Sequence, residues 1–250
     1  MTENSDFSNF DSLFDKFPIV GLTLPGATFS PWNIRAEEIS FSGLRQNICV
    51  CFIDMISSTK IAASISDVQS SRYYEVFLNS MAHIVKNFGG KIMKNQGDCL
   101  IYYFPQTSDL SKKNSFSDVL ECGLTMIAAH RTINAKLSEE NLPPVNYRIS
   151  AVYGRVEFAK STTSVSDDLF GSTVNLCSKI NAKAPPNGMV IGDDMYEILR
   201  SFSFDNYYNF KEVGEYQINS NKQYLVYSVA NKEQRNILNP FKRTSSNSSD

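Results

Sequence analysis

The stretch that most limits what this 250-residue chain can become is NICVCFID, residues 47 to 54. Its near-continuous apolar run has the length of a strand and no polar side to turn to water, so it predicts a central strand covered on both faces. It ends on an acid, Asp54. A second stretch, KIMKNQGDCLIYYF over residues 91 to 104, predicts a strand, a turn at Asn95-Gln96-Gly97 and a returning strand closed by Pro105, again with an acid, Asp98, beside the turn. Two acids at strand ends beside small or turn-forming residues suit a site for divalent cations at the edge of a sheet, because hard cations take oxygen ligands.

Between these stretches, Ser57, Ser58 and Thr59 supply N-caps for a helix carried by Ile61, Ile65, Val68, Val76, Met81, Ile84 and Val85 up to Gly89-Gly90. After a polar loop over 107 to 117 a second helix spans about 117 to 138, Pro143-Pro144 ends it, and Tyr147 to Tyr153 alternates as a strand. The order strand, helix, strand, strand, helix, strand predicts an α+β fold with a ferredoxin-like βαββαβ core: a mostly antiparallel sheet flanked by helices. A short strand and polar loop follow Gly154, then a helix over about 172 to 182, a turn at Pro185 to Gly188, a short strand, a helix capped by Asp193, and a hairpin from about 206 to 213 and 222 to 229.

The ends differ from this body. Phe7, Phe10, Phe14 and Phe17 recur at helical steps among Asp6, Asp11 and Asp15, which predicts an amphipathic helix that docks on a partner or packs on its own domain. Residues 18 to 34 read as an irregular connector, so the expected division is residues 1 to 45 apart from a domain over 46 to 230, with 231 to 250 expected as a polar, disordered tail.

Charge then narrows the partners. Lys+Arg 24 against Asp+Glu 26 gives a net charge of −2, so no basic field gathers nucleic acid or an anionic membrane. Cys49, Cys51, Cys99, Cys122 and Cys177 lack CxxC pairing and sit mostly in apolar patterns, as reduced thiols in an intracellular protein do. No apolar run is long enough to span a membrane and no signal sequence opens the chain, so the expectation is a soluble, cytoplasmic protein. His83 and His130 each lack a metal-ligand partner, and the pairs Tyr102-Tyr103 and Tyr207-Tyr208 fit strands better than a stacking surface.

Three motifs in order, CFIDMISST, KNQGDCL and DLFGSTVNLCSKI, resemble the class III nucleotidyl cyclases over residues 46 to about 230. The resemblance implies an enzyme of the phosphorus-oxygen lyase class that joins the 3′-hydroxyl of a nucleoside triphosphate to its own α-phosphate and releases pyrophosphate. It implies two Mg²⁺ or Mn²⁺ ions held by Asp54, Asp98 and the backbone carbonyl of Met55, with the loop Ile56, Ser57, Ser58 and Thr59 facing the triphosphate. Lys94 and Asp168 map onto the base-reading pair. A lysine donates to adenine N1 and an aspartate accepts from the exocyclic amino group, which favours ATP and cyclic AMP. Lys91 or Asp167 are the alternatives if the register differs; strand parity puts Lys94 on the face of Ile92 and Lys91 with Met93. Asn175 maps onto the asparagine that positions the ribose. Lys179 stands where the family has an arginine that stabilises the transition state, keeping the charge without the planar fork. In such cyclases the metal acids and the asparagine-cation pair come from different chains, so a homodimer is implied. The competing readings are a catalytically weakened nucleotide-binding or regulatory module, a guanylate cyclase, and a palm-like polymerase or cyclic-dinucleotide synthase.

Overall fold

The computed structural model describes residues 39–161, 168–219 and 222–232. The Phe-rich segment, the connector over 18–34, Asp167 and the tail beyond 232 lie outside the described residues. In chain order the elements are β1 (Ile39–Met55), α1 (Ser58–Ala62), α2 (Asp67–Asn87), β2 (Lys91–Gln96), β3 (Cys99–Phe104), α3 (Lys113–Glu139), β4 (Tyr147–Ser161), β5 (Asp168–Phe170), α4 (Ser172–Asn181), β6 (Gly188–Gly192), α5 (Asp193–Ser201), β7 (Tyr208–Asn219) and β8 (Lys222–Asn231). The sheet runs β2-β3-β1-β4-β6-β8-β7, with β5 paired to β4 off this path. Every pairing is antiparallel except β4 with β6.

β1 is buried on both faces, as its composition requires. Cys49, Cys51, Ile53 and Met55 join a core built with α2, α3 and α5, while Ile48, Val50 and Phe52 join a second core under α4. Side chains alternate along a strand, so Asp54 continues the second series and lies on the face of α4. The βαββαβ order is present with both of its helices, α2 and α3, on the opposite face. Among the described residues no helix is long and apolar enough to cross a membrane.

Several elements depart from the sequence expectation, each for a local reason. β1 starts at Ile39 and β4 continues to Ser161, so the short strand expected after Gly154 is the far end of a long β1–β4 ribbon. The ribbon is fastened by Arg45 with Glu157 at 2.8 Å, and Phe41 of β1 lies edge-on to Phe170 of β5 at 5.1 Å. The single helix expected after Asp54 is divided into α1 and α2, because Ser66 and Gln69 form a capping box that starts a new helix. The turn between β2 and β3 is Gly97-Asp98, since Gln96 pairs with Cys99 and Gly97 takes φ +64°. Asp193 opens α5 in its first turn and Gly192 is the residue before it.

The long α4 face is held by a polar stripe. Thr173 Oγ1 donates to the Arg155 carbonyl at 2.8 Å, Cys177 Sγ donates to the Val50 carbonyl at 3.1 Å, and Asn181 Nδ2 donates to the Arg148 carbonyl at 3.2 Å. These residues recur at four-residue steps, so one side of the helix is fixed to β1 and β4. The approach is close enough that a Cβ at Gly154 would sit 2.6 Å from Thr173 Oγ1. Gly154→Ala is expected to push α4 off the sheet and lower stability by about 1–3 kcal/mol, measured by urea unfolding. An unchanged midpoint would mean that the helix does not depend on this contact.

Candidate active site

Asp54 ends the buried run of β1 between two neighbours on the same face: Cys99 opposite it on β3 and Arg148 opposite it on β4. Asp98 immediately precedes Cys99 in the two-residue turn, so the register of β1 with β3 brings the two acids together. Burial, then the negative charge of Asp98, push the Asp54 carboxyl up to about 6 from an ordinary 3.8, and Arg148 pulls it partly back. The same burial and both carboxylates push the Cys99 thiol up to about 12. Ser58, buried, donates its hydroxyl to the Asp98 carboxylate and so fixes one of its oxygens.

This donor set fits a hard dication. Two carboxylates that repel each other in a half-buried corner are relieved by positive charge, and hard cations prefer oxygen. Among the described residues no group of three or more His, Cys, Asp or Glu side chains is placed to hold a metal ion, so further ligands would be the Met55 carbonyl, water or substrate oxygens. A thiol is a softer ligand than a carboxylate, so Cys99 suits such a cation less well than the two acids.

The loop after Asp54 differs from expectation. Ser57 adopts φ +60° and makes no side-chain cap, Ser58 turns to Asp98, and Thr59 is exposed in the five-residue α1. The amide of Ile56 donates to the Asn146 carbonyl at 2.7 Å, so it is not among the free N–H groups of this loop.

Lys94 and Asp168 meet. Lys94 Nζ lies 2.9 Å and 2.8 Å from the two Asp168 oxygens, tying β2 to β5 with both side chains part-exposed, at 41% and 32%. The parity expected for Lys94 is overturned by a bulge at Met93. Ile92 pairs with Tyr102, but Lys94 pairs with Ile101, so Lys94 shares the face of Ile101, Phe52 and Asp54 and not that of Ile92. Lys91, exposed opposite Tyr103, has no ion-pair partner among the described residues. Of the two lysines, Lys94 is the one paired with Asp168 among the described residues.

Asn175 and Lys179 are exposed on α4, one turn apart, on the side away from the Thr173-Cys177-Asn181 stripe. Both line a cavity of about 570 Å³ with Tyr216, Tyr224 and Asp194, and its lining includes neither Asp54 nor Asp98. The structure thus joins Asp54 with Asp98, Lys94 with Asp168, and Asn175 with Lys179, and the cavity lined by the third pair is lined by neither acid of the first.

Arg148 was not singled out from the sequence. It lies across the ladder from Asp54, and its Nε is buried without a hydrogen-bond partner among the described residues. The available signal was a lone cation in the alternating strand Tyr147 to Tyr153. Its meaning depends on pairing register, which the strand alone does not carry. His130 bonds the Val145 carbonyl at 3.0 Å and lies 3.0 Å from the Asn134 amide, a structural role.

Two outcomes follow from the acid pair. Because Asp54 is held above its ordinary value, the folded metal-free chain binds more protons than the unfolded one between about pH 4 and 6, so stability falls as pH rises through that window. Asp54→Asn should flatten this slope and stabilise the metal-free protein at pH 7 by about 1 kcal/mol, after allowance for solvent screening; an unchanged pH profile of thermal melting would contradict the repulsion. Ser58→Ala should weaken Mn²⁺ binding about tenfold by freeing the Asp98 carboxylate, read by calorimetry.

The model of the adenylate and guanylate cyclase catalytic domain matches residues 42–231. A cytidylate cyclase from Staphylococcus aureus is 29% identical over 160 residues, 62% of this chain and 38% of that protein, so the chain spans well under two thirds of that relative's length. The adenylyl cyclase CyaB from P. aeruginosa superposes with TM-score 0.67 at 18% identity over 76% of this chain and 97% of that one. A dimeric guanylyl cyclase domain from the fungus Blastocladiella emersonii gives TM-score 0.64 at 15% identity over 76% and 99%. At those identities the solved structures speak for the fold, and the family match, covering three quarters of the chain and containing all three motifs, places it plainly: the chain belongs to the adenylate and guanylate cyclase catalytic domain family, the class III nucleotidyl cyclases.

Proposed function

We propose that the chain is an adenylate cyclase that converts ATP to 3′,5′-cyclic AMP and pyrophosphate at sites shared between the two copies of a homodimer. The observation that carries the reading is the pair Asp54 and Asp98, repelling each other on the sheet face that Lys94 shares, with Lys94 paired to Asp168. In the reaction a bond forms between the ribose 3′-oxygen and the α-phosphorus, the bond from that phosphorus to the bridging oxygen of pyrophosphate breaks, and the hydroxyl proton leaves to solvent.

Asp54, Asp98 and the Met55 carbonyl would hold two Mg²⁺ or Mn²⁺ ions. When bound, such ions make the 3′-hydroxyl more acidic and neutralise the triphosphate. The chain's own groups supply the rest. Ser58 holds Asp98 in place, and Ser57, Ser58 and Thr59 form the loop beside the triphosphate, with Ile56 as its backbone anchor to Asn146. Arg148, opposite Asp54 and with an Nε that has no hydrogen-bond partner among the described residues, offers a further cation to phosphate. Lys94 and Asp168 address the base. Asn175 and Lys179, on the outward side of α4, would reach the ribose and α-phosphate of a nucleotide held by the partner copy.

Lysine at 179 favours a second reading, a nucleotide-binding regulatory module with little turnover, because an ammonium cannot clamp two phosphate oxygens as guanidinium does. One assay separates the two. Purified protein with ATP and Mn²⁺ should yield cyclic AMP and pyrophosphate, and Asp54→Ala should yield neither. ATP binding without product from the wild-type chain would support the module. Lys179→Arg should raise turnover about tenfold if the lysine is a weakened phosphate group; no gain would place residue 179 outside the reaction.

A further inference from the structure

We infer that Asn187 is a positioning residue for the metal site: acting through Asn146, it fixes the peptide unit that carries the Met55 carbonyl. This deepens the proposed function and rests on its reading of that carbonyl as a ligand. The last rung of the β1–β4 ladder is Met55 with Tyr147, and one step beyond it the Ile56 amide donates to the Asn146 carbonyl at 2.7 Å. The Ile56 N–H and the Met55 C=O belong to one planar peptide unit, trans like every other among the described residues, so they point in opposite directions. Holding the amide toward β4 turns the carbonyl toward β3, where Asp98 comes next after the Asp54–Cys99 pair. A backbone ligand has no rotamer of its own. Its aim is set by whatever fixes its peptide.

Asn146 is exposed and precedes β4, so its carbonyl needs support from outside the ladder. Asn187, in the turn before β6, supplies it. Its Nδ2 donates to Asn146 Oδ1 at 2.7 Å, its Oδ1 accepts from the Tyr147 amide at 3.2 Å, and its own amide donates to the Tyr147 carbonyl at 2.7 Å. On the other side, His130 Nε2 of α3 lies 3.1 Å from the same Asn146 oxygen. To make its three bonds Asn187 takes φ +55°, a left-handed conformation that few residue types other than glycine and asparagine adopt. Asparagine meets both demands, since it tolerates this backbone and carries a donor and an acceptor on one side chain. Glycine would meet only the first. Aspartate would set a carboxylate against Asn146 Oδ1. Groups that orient a ligand from behind govern metal affinity by about 10- to 100-fold.

The test is Asn187→Gly, which keeps the left-handed backbone and the amide bond to Tyr147 and removes the side-chain clamp. Calorimetry on the nucleotide-free chain should show Mn²⁺ bound about tenfold more weakly than by wild type. Hydrogen exchange of the metal-free chain should show protection lost at the Ile56 amide and kept in the middle of β1. Asn146→Ala should weaken Mn²⁺ binding as well, and the double variant should bind no more weakly than the weaker single one, because both changes break the same chain of contacts. A merely structural Asn187 would lower the melting temperature and leave the Mn²⁺ affinity of the folded chain unchanged, which overturns the inference; single losses that multiply in the double variant overturn it too. Affinity lost in Asp54→Ala but unchanged in Asn187→Gly defeats the positioning role alone. A wild-type chain that binds no Mn²⁺ defeats the metal site and this inference together. Mn²⁺ affinity that depends on Asn187 in a chain forming no cyclic nucleotide defeats the enzymatic reading alone.

Discussion

The two-residue period of β1 sets where chemistry can occur in this chain. One series of its side chains is committed to the core under α2, α3 and α5 and the other to the core under α4, so a shift of one residue would turn both hydrophobic sets to the wrong face. Asp54 is the point at which the second series ends and the apolar cover stops. Its position is therefore fixed by the burial of the six residues before it, not by any contact of its own. The β1–β3 register then brings Asp98 to it, and the β1–β4 register brings Arg148.

The cost of this arrangement is electrostatic. Two carboxylates in a half-buried corner raise each other's free energy, and Arg148 offsets only part of it. Strained charge of this kind clusters where a ligand later relieves it. The same face carries Lys94, paired with Asp168, and an arginine whose Nε lacks a hydrogen-bond partner among the described residues, so it combines anionic and cationic groups suited to a cation-bound polyanion. The opposite face is filled by the core under α2, α3 and α5.

Much of the site was legible in the sequence because it lies in contiguous motifs. NICVCFID announced a central strand by its lack of any polar side, Asn95-Gln96-Gly97 announced a reversal that falls one residue later at Gly97-Asp98, and Asn175 with Lys179 shared a helix face by spacing. What escaped depends on pairing. Strand parity assigned Lys94 to the face of Ile92 because counting by two assumes an unbroken ladder, and the extra residue at Met93 breaks it. Arg148 became significant only through the residue opposite it. The loop after Asp54 read as caps on one helix, whereas Ser57 in a left-handed conformation and Ser66 with Gln69 divide it; the Ser-x-x-Gln signal was present but overshadowed by the longer helical period. The long β1–β4 ribbon was hidden by its polar and turn-prone residues, which pair because each partner strand supplies the other's hydrogen bonds.

The orientation of α4 ties these parts into a division of labour. Its polar stripe faces its own sheet, so Asn175 and Lys179 face outward, and they line a cavity apart from Asp54 and Asp98. A site that needs all four groups would then be completed by a second copy, each supplying what the other lacks. Mixing Asp54→Ala and Asn175→Ala proteins tests this directly through cyclic nucleotide formation. Each variant alone should be silent, and the equimolar mixture should recover about a quarter of wild-type activity, because half of the dimers are mixed and each has one intact site of two. A mixture as silent as its components, beside an active wild-type control, would contradict the shared site.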